Sequence, residues 1–133
     1  PSVLDDLGLP AAVQKQAREF SKRTGVVVAV SVDGSFERLR DPHRTYIYRI
    51  VQEALTNCAK HSEAHSISVT LIGRPDRVEL VVADDGVGFD AGRLRKGGLG
   101  LIGMEERVRE LGGVAEIRSA PGEGTAIHVS TPL

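Results

Sequence analysis

The sequence predicts an α/β fold: a two-layer α/β sandwich with helices on one face of a mixed β-sheet. Two observations lead there. Stretches with a helical apolar period alternate with runs of branched residues that read as strands. The later strands come in hairpins, which suits two layers better than a doubly wound parallel sheet. With 133 residues, 41% apolar and 26% charged, the chain is long enough for one domain with its own core.

The elements follow in order. "LPAAVQKQAREFSKRTG" sets Ala12, Val13, Gln16, Ala17 and Phe20 on a helical period and stops at Gly25. "VVVAVSV", residues 26–32, is rich in branched side chains and reads as a strand. "DPHRTYIYRIVQEALTNCAKHS" opens with Asp41 as N-cap and Pro42 at the first helical position. Its apolar stripe holds Ile47, Ile50, Val51, Ala54, Leu55 and Cys58, which makes Cys58 a small core residue. "SISVTLIG" and "RVELVVAD" are strands joined by a tight turn through Arg74-Pro75-Asp76. Residues 85–100, "DGVGFDAGRLRKGGLG", hold six glycines and form a loop. "LIGMEERVRELGG" is a helix closed by Gly112-Gly113. "VAEIRSA" and "TAIHVSTPL" make a final hairpin around Pro121-Gly122-Glu123-Gly124.

Composition excludes several functions. A net charge of -1 offers no field for nucleic acid or an anionic membrane. No apolar run reaches the roughly 18 residues of a membrane helix, and no signal peptide is visible. The single cysteine rules out an internal disulfide and fits a reducing, cytoplasmic setting. A start at Pro1 without methionine reads as a piece of a longer protein, whose other parts could include a membrane anchor.

Four motifs carry possible chemistry. Glu53, Asn57 and His61 recur at a spacing of four, with Lys60 three residues after Asn57. Asparagine is a poor helix former, because its amide competes for backbone hydrogen bonds. The stripe reads either as a solvated flank or as a metal–phosphate site. Mg²⁺ takes hard oxygen donors and keeps several waters, so an amide and a nearby carboxylate suffice, with Lys60 as a point charge on phosphate. In "VADDGVGF", Asp84 ends an apolar strand and Gly86 and Gly88 follow. This is either a plain turn or a carboxylate facing a pocket, with glycines that let a ligand approach the backbone. In "KGGLGLIGMEERV", Gly97, Gly98 and Gly100 lead into a helix N-terminus suited to phosphate, beside Arg93, Arg95 and Lys96. These too read as ordinary surface when taken alone. "GEGT", residues 122–125, closes a turn.

In this order the four motifs resemble the ATP-binding domain of sensor histidine kinases, within the larger group that holds DNA gyrase B, Hsp90 and MutL. Glu53, Asn57, Lys60 and His61 match the N box. Asp84, Gly86 and Gly88 match the first glycine box, Gly98, Gly100 and Leu101 the second, and Gly122, Gly124 and Thr125 the third. The match runs from about Asp41 to the C-terminus. "GLIGMEERVRELGG" looks most like the nitrate-sensor and desaturase-sensor branch, and "PSVLDDLGLPAAV" is similar to the segment entering the domain there.

The resemblance implies one ATP-binding catalytic domain over 1–133, with a linker-proximal helix and first strand in 1–40 and the nucleotide motifs in 41–133. ATP and Mg²⁺ are its implied cofactors. Asn57 would coordinate Mg²⁺, Glu53 would orient a water or assist the metal, and Lys60 and His61 would approach the phosphates. Glu53, Asn57 and Lys60 form the implied catalytic set. Asp84 would accept the adenine amino group, with Thr125 in support, directly or through water. Gly86, Gly88, Gly98 and Gly100 would shape the pocket and a lid over residues 89–98. The implied partners are a phospho-accepting histidine on a helical dimerisation domain of the same full-length protein, and then a response regulator. None of His43, His61, His65 or His128 sits in the acceptor pattern, so the acceptor is expected upstream of Pro1. The lid's phenylalanine box is missing, with Phe89 beside the first glycine box instead, as is common in the short-lid branch. Two alternatives share the fold: an anti-sigma-factor serine kinase and a non-catalytic nucleotide-binding module. "LDDLGLPAAVQ", like a kinase linker, speaks against the first, and undamaged N and glycine boxes speak against the second.

Overall fold

The computed structural model describes residues 2–88 and 101–133. Along them run α1 (Ser2–Leu7), α2 (Leu9–Thr24), β1 (Val27–Gly34), α3 (His43–Asn57), β2 (Ser66–Gly73), β3 (Arg77–Asp84), α4 (Leu101–Glu110), β4 (Val114–Ser119) and β5 (Thr125–Pro132). A π-helical turn, Cys58–Ser62, continues α3.

Alternation along the strands creates the layers. Ile67, Val69 and Leu71 of β2, Val78, Leu80 and Val82 of β3, and Ile127 and Val129 of β5 are buried. They form one cluster with Val13, Phe20, Ile47, Ile50, Val51, Leu55, Met104 and Val108 from the helices. Each such side chain contributes about 1.5–3 kcal/mol on burial. On the other sheet face Ser66, Ser68, Glu116 and His128 are exposed and Thr70, Glu79 and Val81 half-buried, and no helix among the described residues covers it. The strand order is β1-β2-β3-β5-β4. β1 runs parallel to β2 and the remaining pairs are antiparallel. This is the mixed-sheet, two-layer sandwich that the sequence predicts.

The differences lie at element ends. α1 is absent from the sequence reading, because six residues are too short to show a period. Buried Leu4 anchors it, and Gly8 at φ 84 separates it from α2. β1 extends to Gly34 rather than ending at residue 32. α3 becomes regular only at His43, one residue beyond Pro42. Asp41 still caps by its side chain: Oδ1 accepts the Thr45 N–H at 3.1 Å and the Thr45 hydroxyl at 2.6 Å. The expected helix through Ser62 stops being α-helical after Asn57, and Glu63, at φ 52, ends the wider turn. Beyond α4, Gly112 at φ 75 and the Gly113 N–H on the Val108 carbonyl at 3.0 Å close the helix where two glycines are expected to.

The head of α3 is tied to α1. Arg44 Nη2 lies 3.0 Å from Asp41 Oδ2 and 3.3 Å from Asp5 Oδ1. These ion pairs are exposed on their acidic sides and add little stability, so Leu4 supplies most of the docking.

The Thr45 hydroxyl first, and then Arg44, hold the Asp41 carboxyl below the usual carboxylate value. A native pKa depressed in this way gives stability that is present above the unfolded value of about 3.9 and lost as pH falls through the native value. Asp41→Ala should therefore lower the unfolding free energy by about 1 kcal/mol at neutral pH. The loss should shrink on acidification below about pH 4. Urea titrations at both pH values measure it; an equal loss at each would assign the effect to packing rather than to the charged cap.

Candidate functional site

One end of the sheet brings together two of the four motifs, the first and third glycine turns. β2 and β5 start there, while β3 and β4 end there. In register, Ile67 faces Asp84, Asp84 faces Thr125, and Thr125 faces Ser119. The π-helical turn after α3 leads into the same end through residues 63–65, since Val27 of β1 pairs with Ser66 at the start of β2. Asp84, Thr125 and Ser119 alternate with Val82, Ile127 and Ile117 in the sense that places them on the helix-covered face.

Asp84 is half-buried at the last position of β3. Its Oδ1 accepts the Gly86 N–H at 2.8 Å, and the Thr125 N–H also donates to its carboxylate. Burial raises its pKa above the usual carboxylate value, while these two N–H groups pull the other way.

The next residue has a different task. Asp85 Oδ1 accepts the His65 and Ser66 N–H groups at 2.8 and 3.0 Å, and Oδ2 accepts the Ser66 hydroxyl at 3.0 Å. The Ser66 and His65 N–H groups hold its pKa low. Two adjacent acids thus divide the work: Asp84 stays on the covered face, and Asp85 staples the turn to the start of β2.

The glycines answer a backbone requirement. Gly124, at φ 74, lies so near the Asp84 carbonyl oxygen that a Cβ would collide with it. Gly88, at φ 69, meets the Ala120 and Gly124 carbonyls in the same way, and the Gly122 N–H donates to the Val87 carbonyl at 2.6 Å. The first and third glycine turns therefore pack backbone to backbone. Gly86 is buried and acts through its N–H on Asp84. The sequence reading left Gly86 and Gly88 between a plain turn and ligand approach and read residues 122–125 as a turn, because spacing alone cannot show that the two turns meet.

Ser119, which the sequence reading did not single out, donates its hydroxyl to the Gly124 carbonyl at 3.0 Å and lies 2.8 Å from Thr125 Oγ1. A cleft of about 510 Å³ at this end has Asp84, Ser119, Gly124 and Thr125 in its lining. Ala83, Arg118 and Ala126, from the uncovered face, line it as well, so the cleft wraps around the end of the sheet.

Glu53 and Asn57 are half-exposed, one turn apart near the end of α3. Lys60 is exposed, and His61 lies on the π-helical turn, its side chain outside the described residues. Hydrogen bonds in such a turn span five residues rather than four. The spacing that places Lys60 and His61 in line with Glu53 therefore holds only as far as Asn57. No three His, Cys, Asp or Glu side chains cluster for a metal among the described residues. Asn57 with Glu53 fits an ion such as Mg²⁺, which keeps waters and takes phosphate oxygens. Gly98, Gly100, Phe89, Arg93, Arg95, Lys96 and the expected lid lie outside the described residues, and Leu101 is the first residue of α4.

Comparison with known proteins adds independent findings. Residues 43–133 match the family of histidine kinase-, DNA gyrase B- and HSP90-like ATPases. The chain is 38% identical to the signal transduction histidine-protein kinase/phosphatase DegS of Brevibacillus brevis, over 98% of its own length and 34% of that protein's. It is 38% identical to the oxygen sensor histidine kinase NreB of Staphylococcus carnosus, over 100% of its own length and 39% of NreB. It thus spans little more than a third of either relative. Among solved structures, a mycobacterial sensor histidine kinase, MprB, shares the fold with a TM-score of 0.67 at 24% identity, covering 91% of each chain. The blue-light activated histidine kinase of Erythrobacter litoralis EL346 does so with a TM-score of 0.71 at 24% identity, covering 94% of this chain and 42% of that one.

The meeting of the glycine turns is testable by two alanines. Gly122→Ala places a side chain at φ 81 in open space, whereas Gly124→Ala places one at φ 74 against the Asp84 carbonyl. The first should cost about 1–2 kcal/mol of strain. The second should cost about 1–3 kcal/mol more, for overpacking against a backbone that cannot give. Denaturant midpoints of the two variants decide it; equal losses would mean that the close approach contributes nothing.

Proposed function

The chain belongs to the family of histidine kinase-, DNA gyrase B- and HSP90-like ATPases, and from that premise we propose that residues 1–133 are the ATP-binding catalytic domain of a two-component sensor histidine kinase. The observation that carries the reading is the in-register pairing of Asp84 with Thr125 at the sheet end where the chain leaving α3 enters β2. Family and geometry support it together.

In this reading the half-buried Asp84 accepts the adenine amino group, and Thr125 supports it. Asn57 and Glu53 hold Mg²⁺, while Lys60 and His61 face the phosphates. Gly98 and Gly100 belong to the segment that covers them. Bound ATP supplies the phosphoryl group and Mg²⁺ offsets its charge. The chain's own residues bind, orient and shield. The acceptor is a histidine on a helical dimerisation domain of the same full-length protein, and a response regulator takes the phosphoryl group next. We place the domain in the cytoplasm; no helix among the described residues is long and apolar enough to cross a membrane.

Incubated alone with labelled ATP and Mg²⁺, this chain should bind nucleotide without labelling itself. Label should appear on the parent protein's helical domain supplied in trans. Acid-labile label on this chain alone would overturn the placement of the acceptor.

Asn57→Ala should abolish Mg²⁺-dependent nucleotide affinity and phosphotransfer while circular dichroism stays native, since alanine favours the helix. Near-normal phosphotransfer by that variant would return the α3 stripe to a solvated flank.

Base choice tests Asp84. An ionised carboxylate accepts but cannot donate, so it suits adenine's amino group and opposes guanine's carbonyl. An unmade buried hydrogen bond costs about 1–3 kcal/mol, and more when the group is charged as here, so ATP should be preferred over GTP by at least about tenfold. Asp84→Asn can also donate and should narrow that gap. Because burial raises the Asp84 pKa, acidification toward the carboxylate range should narrow it as well, since the neutral acid can donate. Competition binding with both nucleotides checks this; equal affinity of the parent chain for ATP and GTP would remove Asp84 from base reading.

A further inference from the structure

We infer that the outer edge of β1, together with the groove between β1 and α2, is a docking site at which an acidic extended segment of a partner protein adds to the sheet as a further strand. The inference does not depend on the nucleotide reading above.

The backbone supplies the first part of the site. β1 is an end strand of the sheet and pairs only with β2. In an extended strand the N–H and C=O of one residue point to the same side, and successive residues alternate. The Val27 N–H donates to the His65 carbonyl at 3.1 Å, so Val27, Ala29, Ser31 and Asp33 turn their backbone groups to β2. Val28, Val30 and Val32 turn theirs outward, where no described residue bonds them. They form a row of donors and acceptors at the spacing of a strand.

This edge is left unguarded. Sheet edges are normally blunted by shortness, charge, proline or a bulge. β4, the other end strand, is guarded in that way: it has six residues, with Glu116 and Arg118 among them. β1 has eight residues, and residues 27–32 contain neither a charge nor a proline. Its register with β2 runs from Val27 to Gly34 without a bulge. Val27 and Val32, 62% and 39% exposed, keep apolar surface in water there. A long, regular, branched edge of this kind is a template for pairing.

The groove beside the edge selects the occupant. It encloses about 540 Å³. Buried Ala17 and half-buried Ser21 and Val28 line its sheltered part, and exposed Lys15, Arg18 and Lys22 line its rim. Glu19, the acid in that lining, lies 3.6 Å from Lys15, which leaves Arg18 and Lys22 without an acidic partner among the described residues. Lys22 is in the last turn of α2, where a cation complements the helix end, but Arg18 lies a turn earlier and has no such role. A strand laid along β1 projects alternate side chains over α2. A glutamate there lays its methylenes over Ala17 and Val28 and brings its carboxylate to Arg18 and Lys22, whereas a lysine is repelled. Charge also opposes a second copy of this chain. Antiparallel pairing of two β1 strands would set two α2 helices, with the same basic rims, side by side on one sheet face.

The test uses this chain and a labelled, end-blocked peptide of alternating glutamate and valine, matched to the eight residues of β1, in anisotropy titrations at low salt. This peptide should bind at least about tenfold more tightly than its counterpart with lysine for glutamate, and should weaken as salt is added. Equal binding of the two, or binding of neither, overturns the proposal. Bound peptide should slow amide exchange at Val28, Val30 and Val32 and leave β4 unchanged; protection confined to other segments overturns the site. Val32→Pro puts proline where the N–H faces solvent, the strand position that tolerates it, so the native circular dichroism should persist. The variant should lose at least about threefold in affinity for the acidic peptide. Undiminished binding by a folded Val32→Pro would mean attraction by charge without strand addition, which sinks the inference. Should Val32→Pro not fold, Arg18→Glu combined with Lys22→Glu reverses the exposed rim and should invert the preference between the two peptides; an unchanged preference is equally fatal. A chain that dimerises alone in sedimentation, and that Val32→Pro returns to a monomer, would give the edge to a second copy and overturn the acidic partner.

Discussion

The pairing of β3 with β5 is the constraint on which the site depends. It sets Asp84 beside Thr125, and it does so because Gly124 brings its backbone against the Asp84 carbonyl with no Cβ between them. Shifting that register by one residue would turn Asp84 to the uncovered face and bring Ala83 or Asp85 under the helices. The core argues against such a slip, because Val82, Leu80 and Val78 would leave the apolar cluster together with it. Chemistry at the sheet end is therefore specified by hydrophobic burial further along the same strands.

Asp85 shows how a neighbouring residue secures this arrangement. Its carboxylate collects bonds from His65 and Ser66, residues that follow the turn carrying Lys60. One side chain thereby joins the end of β3 to the chain segment arriving from α3. The phosphate-facing and base-facing parts of the proposed site hang from this shared corner. Position 85 is exposed and looks like part of an ordinary Asp-Gly turn, but it joins two motifs that the sequence presents as separate.

Much of the architecture was legible because its signals are long. The apolar stripe of α3 and the alternation in β2, β3 and β5 specify both type and burial, and the four motifs in order specify the family. What escaped was short or depended on contact. α1 is too brief for a period. The π-helical turn has no compositional mark, so an α-helical spacing was carried past Asn57 to Lys60 and His61. Ser119 ends β4 and Asp85 follows β3, positions beside turns where serine and aspartate are common for bland reasons, and only strand pairing reveals what they bond. The back-to-back glycine turns are separated by over thirty residues of sequence, from Gly88 to Gly124, and nothing local announces their meeting.

The clasp at the head of α3 has a mechanical meaning. Asp5 and Asp41 share Arg44 there, and Leu4 is buried beside them. α3 has 15 residues, a rod of about 22 Å, with the clasp at one end and Asn57 at the other. A helix of that length bends little, and its middle is gripped by the core through Ile47, Ile50, Val51 and Ala54. A torque applied to α1 would therefore be resisted by the whole sandwich, instead of being absorbed at a soft joint. The first helix and the catalytic asparagine proposed here are two points on one stiff body, and whatever pulls on the first moves the second with it.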